Sequence, residues 1–251
     1  MTSSLIASRS APAKATELNA KASPDFAAKL AETQALLRRV AAEFKPVTQA
    51  SSLGAEDVVI THLINSLQLD IPVFVLETGA LHTETLALLE RTQAHSRAPI
   101  NVFRPVQESV IQFLRDKGQD AIFQSTALRK ACCGVRKIEP LARALTGQRA
   151  WITGLRQEQS TARAEVPLQD DSEVTAKELS KFNPLAKWTW GDVWHYIAEN
   201  KVDYNPLHDR FFPSIGCAPC TRAISLGEEF RAGRWWWEDD AANECGLHVK
   251  A

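Results

Sequence analysis

No stretch of the chain approaches the eighteen or so uninterrupted apolar residues that a membrane-spanning helix needs, which excludes a helical membrane protein. The opening residues, MTSSLIASRSAPAKATELNAKAS, lack the apolar core of a secretory signal. Their serines, alanines and scarce acids faintly match an organelle transit peptide, and a disordered, solvated leader over residues 1–23 is the expectation. Excess charge is missing too: 29 Lys and Arg face 30 Asp and Glu, which excludes a protein built mainly to coat nucleic acid. Neither a GxGxxG after a strand-like run nor a GxxxxGK[ST] occurs, so the dinucleotide fingerprint and the Walker-type phosphate loop are absent. There is no internal repeat or low-complexity tract. Five cysteines and no signal peptide exclude an extracellular disulfide framework, leaving reduced thiols in a cytoplasmic setting.

What is present suffices for one sizeable core: 251 residues, 45% apolar, predict a single α/β domain over residues 24–237 and a mobile tail over 238–251. Ser23 and Pro24 read as the N-cap and first position of a helix carrying Phe26, Leu30, Leu37, Val40 and Phe44. PVTQA, IPVFVL, PINVFRP and RAWITG read as strands, and helix-period segments separate them. Such alternation predicts a mostly parallel sheet flanked by helices, with ligands beyond the carboxyl ends of the strands, where SSLG and ETG fall. Thr189 reads as the cap of a helix over Trp190–Asn200, and the acid-rich Val166–Leu179 as a loop or lid.

Four of the cysteines form two pairs, Cys132 with Cys133 and Cys217 with Cys220. Alone, the CxxC of Cys217 and Cys220 fits a redox dithiol, half a zinc site or half an iron–sulfur site. Adjacent cysteines diverge on a strand or a regular helix, so Cys132 and Cys133 serve one centre only through irregular backbone. The tandem pair suits a [4Fe–4S] cluster, with its separated iron corners, better than one zinc; two structural thiols beside an unrelated CxxC stay open. Lys130, Arg136, Lys137 and Arg222 flank the pairs and would offset the negative charge of four thiolates.

The segments SSLGAEDVV, LETGALHTET, CCGVRKIEPL, WITGLRQEQSTARA, FNPLAKWTWGDVW, YNPLHDRFFPSIGCAPCTRA, RAGRWWWE and ECGLH succeed one another from Ser51 to His248. This series resembles the assimilatory adenylyl-sulfate (APS) reductases of the phosphoadenylyl-sulfate reductase superfamily. The resemblance implies an adenine-nucleotide α-hydrolase-like (PP-loop-type) fold and the reduction of APS to sulfite and AMP for sulfate assimilation. Electrons would come from thioredoxin or a similar dithiol. It also implies that Cys132, Cys133, Cys217 and Cys220 hold a [4Fe–4S] cluster, and that Cys245 in the tail is the nucleophile, passing through an S-sulfocysteine. By the same match Lys137, Arg231, Arg234 and His248 look like sulfate and phosphate contacts, with Arg156 and Arg163 in an arginine-rich loop. Ser51, Ser52 and Gly54 correspond to a modified phosphate loop, and Thr78 and Gly79 to a strand-end motif.

The sequence departs from the family at Glu77, where aspartate is common, and at Gln157, where a second arginine is common. The plainer alternatives are that Arg231 and Arg234 flank a helix end, and that Trp235, Trp236 and Trp237 are core or interface packing rather than a stacking platform. His62, His82, His95, His195 and His208 read as structural or surface residues. The four cysteines favour APS over the 3'-phosphorylated PAPS by family pattern, and SSLGAEDVV in place of SGGxDS disfavours an ATP-dependent tRNA-thiolating enzyme. No membrane or nucleic-acid partner is expected, and the residues do not fix whether the chain forms a homo-oligomer.

Overall fold

The computed structural model describes residues 13–172 and 179–238. In chain order these form α1 (Ala15–Asn19), α2 (Phe26–Glu43), β1 (Val47–Ser51), α3 (Ala55–Ser66), β2 (Val73–Leu76), α4 (Thr83–His95), β3 (Ile100–Phe103) and α5 (Gln107–Lys117). Next come α6 (Ala121–Gln124), α7 (Thr126–Cys133), α8 (Glu139–Leu145), β4 (Ala150–Ile152), β5 (Gln169–Asp170), β6 (Ser180–Phe182) and α9 (Trp190–Asn200). The strands make one six-stranded sheet in the order β3-β2-β1-β4-β6-β5. All neighbours pair in parallel except β5, which lies antiparallel on β6 at the edge.

Parallel pairing requires crossovers long enough for a helix, and the apolar content of β2 and β4 results from burial on both faces. Gln49 sits opposite Val73 on one side and Ile152 on the other, which makes β1 the central strand. Helix α3 is buried along nearly its whole length, and α2 turns Leu36, Leu37, Val40 and Ala41 inward at helical spacing. Each fully buried aliphatic or aromatic side chain contributes about 1.5–3 kcal/mol. Trp188, buried among them, satisfies its indole N–H on Thr33 Oγ1 at 3.0 Å.

The amino-terminal expectations are corrected at two points. Helix α1 falls inside the stretch expected to be a disordered leader; Ala15 is buried and donates its N–H to Asp209 Oδ1 at 2.7 Å. Ser23 caps nothing on α2, which begins at Phe26; its N–H and hydroxyl donate instead to Asp192 at 2.7 and 2.9 Å. The Asp192 carboxylate, a charged acceptor, makes the stronger bonds and ties Ser23 to α9, while the Ser23 hydroxyl oxygen accepts from Lys29 Nζ at 3.0 Å. Burial alone would raise its pKa, but the bonds from Ser23 and Thr189 prevail and hold it at about 2. Thr189 caps α9 as expected, accepting from Asp192 N–H at 3.0 Å. Within the expected lid, Gln169–Asp170 instead forms the edge strand β5.

Candidate active site

The chain runs outward from β1 through β2 to β3, then crosses to the other side of β1 for β4, so the connections leaving β1 and β4 part company. Such a switch point opens a crevice at the carboxyl ends of the strands. A pocket lies there, lined by Ser51, Ser52 and Gly54 after β1, and by Thr153 and Gly154 after β4. Leu53 turns the loop with φ 61, in the left-handed region that a non-glycine residue seldom occupies. Ser52 then donates its N–H and hydroxyl to Asp57 Oδ2 at 2.6 and 2.7 Å. A Cβ at position 154 would collide with Glu56 and Asp57, so only glycine lets β4 end against these acids. Burial pushes the Asp57 carboxyl up to about 6, although the Ser52 bonds oppose the shift.

The same pocket also carries basic side chains, Lys137, Arg163, Arg231 and Arg234. A chain of hydrogen bonds aims Arg163: its Nη1 donates to Gln159 Oε1 at 2.5 Å, and Gln159 Nε2 donates to Glu56 Oε1 at 3.0 Å. Arg156 Nε reaches the same Glu56 oxygen at 2.9 Å. Burial tends to raise the Glu56 pKa, but the Arg156 charge and the Gln159 bond outweigh it and leave the carboxyl below the usual range. Arg234 is packed against Gly216, where any Cβ would fill its place, and donates to Ser214 Oγ at 3.2 Å.

A second cavity adjoins the first and is lined by Cys132, Cys133, Cys217 and Cys220. Ser125 caps α7, accepting from Leu128 N–H at 3.2 Å, and the helix delivers Cys132 and Cys133 at its last turn. After them the backbone widens into one π-helical turn, Gly134–Ile138. Cys217 is drawn in by pairing with Leu81, and Ala218 N–H donates to Ala80 O at 2.7 Å. Trp235, buried, closes the cavity between the guanidinium carbons of Arg129 and Arg234, 4.5 and 4.6 Å from its ring centroid. Arg129 pairs in turn with Glu238.

Lys137 lines both cavities. Thr78 also joins them: its hydroxyl lies 3.3 Å from Cys217 Sγ, and its carbonyl accepts from Arg136 Nη1 at 2.6 Å. Burial pushes the Cys132 thiol up and the Cys220 thiol up to about 11, so as free thiols both would stay protonated and poorly nucleophilic. Among the described residues, no three His, Cys, Asp or Glu side chains are grouped so as to hold a single metal ion. The four cysteines line one shared cavity.

The predicted contacts Ser51, Ser52, Gly54, Thr78, Lys137, Arg163, Arg231 and Arg234 thus come together on one pocket. Arg156 does not line it; buried against Glu56 and the Trp188 carbonyl, it supports the loop from behind. Gly79 also stands back, and its φ of 70 shapes the turn that Arg136 approaches. Glu77 accepts from Gly79 N–H and Arg104, and Gln157 donates to Val166 O, so both family departures fall on structural bonds. Cys245 and His248 lie outside the described residues. The sequence reading missed Glu56, Asp57 and Gln159, whose signals were the paired acids after SSLG and the second glutamine of RQEQS.

A family model described as phosphoadenosine phosphosulfate reductase domain matches residues 46–223. The adenosine 5'-phosphosulfate reductase of Allochromatium vinosum is 49% identical over 213 residues, covering 85% of this chain and 82% of that protein. The reductase of the same name from Burkholderia cepacia is 47% identical over 226 residues, 90% of each. A solved phosphoadenylyl-sulfate (PAPS) reductase from Candida auris, in a phosphate complex, is 26% identical with a TM-score of 0.64, covering 76% of this chain and 90% of that one. An FMN adenylyltransferase of Candida glabrata, 11% identical with a TM-score of 0.55 over 92% of this chain and 82% of that one, shares the fold alone.

Proposed function

The chain belongs to the phosphoadenosine phosphosulfate reductase family, and from that premise we propose that it reduces adenosine 5'-phosphosulfate to sulfite and AMP in sulfate assimilation. It is an oxidoreductase of the kind that its nearly half-identical relatives are named for. The observation that carries the reading is the set of four basic side chains, Lys137, Arg163, Arg231 and Arg234, lining a strand-end crevice next to a cavity of four cysteines. The adenosine lies toward the strand ends, where Asp57 and Glu56 offer acceptors and Phe74 and Val75 an apolar shelf; the two anionic groups face the basic side chains.

The Cys245 thiolate attacks the sulfate sulfur, the S–O bond to AMP breaks, and AMP leaves with the electron pair. Lys137, Arg231 and Arg234 hold the sulfate and phosphate oxygens and offset the charge that gathers on the leaving phosphate; His248 lies three residues beyond the thiol and joins them. A dithiol protein such as thioredoxin then attacks the Cys245 sulfur and displaces sulfite.

The four cysteines fit a [4Fe–4S] cluster: they line one cavity with Arg136 and Lys137 at hand to balance anionic charge. Held by Cys132, Cys133, Cys217 and Cys220, such a cluster would supply an electrostatic centre, while thiols carry the two-electron chemistry. A cytoplasmic setting agrees with this reductant, and among the described residues no helix is long and apolar enough to cross a membrane.

The test is mass spectrometry of anaerobically purified protein mixed with APS without reductant. A sulfite-sized adduct on Cys245 with one equivalent of AMP is expected, and an unmodified Cys245 rejects the reaction. Steady-state kinetics with APS and PAPS side by side decide the substrate, with APS expected to be the better one.

A further inference from the structure

Of the three consecutive tryptophans, Trp235 is core, yet Trp236 is 42% exposed. Its ring packs edge-on to Trp237 at 4.8 Å between centroids, and Trp237 packs on Phe123, itself 45% exposed, at 4.5 Å. Two exposed aromatics bridged by a third make a contiguous apolar surface, and such surfaces on a water-exposed protein mark contact with something else. Tryptophan is also the side chain most enriched where binding energy concentrates.

The chain beside this surface is fixed. Arg129 holds the Glu238 carboxylate with Nε at 3.0 Å and Nη2 at 2.6 Å, and Glu238 N–H donates to Trp235 O at 2.8 Å. Cys245 lies seven residues beyond Glu238, which at full extension reach about 25 Å. Whatever protein reacts with the Cys245 sulfur must therefore work within that radius of the aromatic trio. The intervening residues, Asp239, Asp240, Ala241, Ala242, Asn243 and Glu244, bring no apolar side chain larger than alanine, and the next apolar side chains, Leu247 and Val249, lie beyond the reactive thiol.

We propose that Phe123, Trp236 and Trp237 form the docking face for the dithiol protein that regenerates Cys245. This rests on the reaction proposed above. The partner's apolar surface around its dithiol seats on the trio. Its thiolate then attacks the Cys245 sulfur, the bond to the sulfonate breaks, and sulfite departs with the electron pair, leaving a mixed disulfide. The partner's second thiol attacks its own sulfur in that disulfide, Cys245 leaves as a thiolate, and the partner carries away the disulfide.

The experiment separates the two half-reactions in the full-chain holoenzyme carrying Trp236→Ala, since Phe123 also lines the cysteine cavity. Expected are a rise of about tenfold or more in KM for thioredoxin, an unchanged rate of single-turnover adduct formation on Cys245, and unchanged sulfite release by dithiothreitol. Trp236→Phe should restore much of the thioredoxin KM. An unchanged thioredoxin KM in Trp236→Ala overturns the proposal. Slower adduct formation overturns it in favour of the chain's own tail on this surface, and a change in sedimentation in favour of a second copy. Absence of any Cys245 adduct in the unaltered protein rejects the underlying reaction instead.

Discussion

Arg129 closes two arms of its guanidinium on the Glu238 carboxylate, at 3.0 and 2.6 Å, and the side chains are 0% and 3% exposed. Glu238→Ala leaves the buried cation without this partner, and urea unfolding should show a loss of about 3–5 kcal/mol. Replacing both together, Arg129→Met with Glu238→Leu, should cost far less, because the desolvation of both charges disappears with the pair. Equal losses in the two proteins would mean that the ion pair is not what holds this junction.

Gln159 connects Arg163 to Glu56 across one amide. Gln159→Leu removes both bonds, and KM for APS should rise about tenfold, the equivalent of one charge-assisted hydrogen bond of about 1.4 kcal/mol. The iron content and the rate at saturating APS should change little. A fall in that rate without a change in KM would place Arg163 outside substrate binding.

The cysteines should divide by what each loss removes. Cys132→Ser or Cys217→Ser should strip iron and sulfide from anaerobically purified protein and bleach its visible absorption. Cys245→Ser should keep that absorption while abolishing sulfite release. Zinc without iron or sulfide in the unaltered protein would overturn the cluster assignment.

His208 is buried against Trp190 and Trp194, and burial lowers its pKa to about 4. The unfolded chain takes up this proton near pH 6.5 and the folded one resists until about pH 4, so stability should fall as the pH drops through that window. Asp57, pushed up to about 6, acts in the opposite sense, since the folded state takes up its proton first as the pH falls from about 6 toward 3.8. Melting temperatures of the unaltered protein and His208→Phe, taken at about pH 7 and about pH 5, separate the two effects. The variant should lose less on acidification; an equal loss would show that His208 does not contribute.

Strand β2 was legible because burial on both faces forces a continuous β-branched and aromatic run, as in IPVFVL. The strands β5 and β6 escaped notice because Gln169–Asp170 and Ser180–Phe182 are two and three residues long and carry polar side chains. Helix α1 was hidden for another reason: ATELN has little apolar character, and it is placed by Asp209, nearly two hundred residues away. The four cavity cysteines could be counted from the sequence. Arg156 could not be told from Arg163, since both are arginines of one loop and only the position of Glu56 turns the first inward.

The π-helical turn at Gly134–Ile138 makes chain length itself a functional variable. Deleting one residue there would be absorbed without a break, since an ordinary helical turn would join α7 to α8 with better hydrogen bonding. The cost would fall inside the turn, where losing the extra residue shifts the turn's own side chains around the helix axis relative to those before it. Cys132 and Cys133 lie before the turn and Lys137 within it, so a straightened helix cannot aim all three at the cavity they now share. At this one place, a more regular and locally more stable chain would be a disabled one.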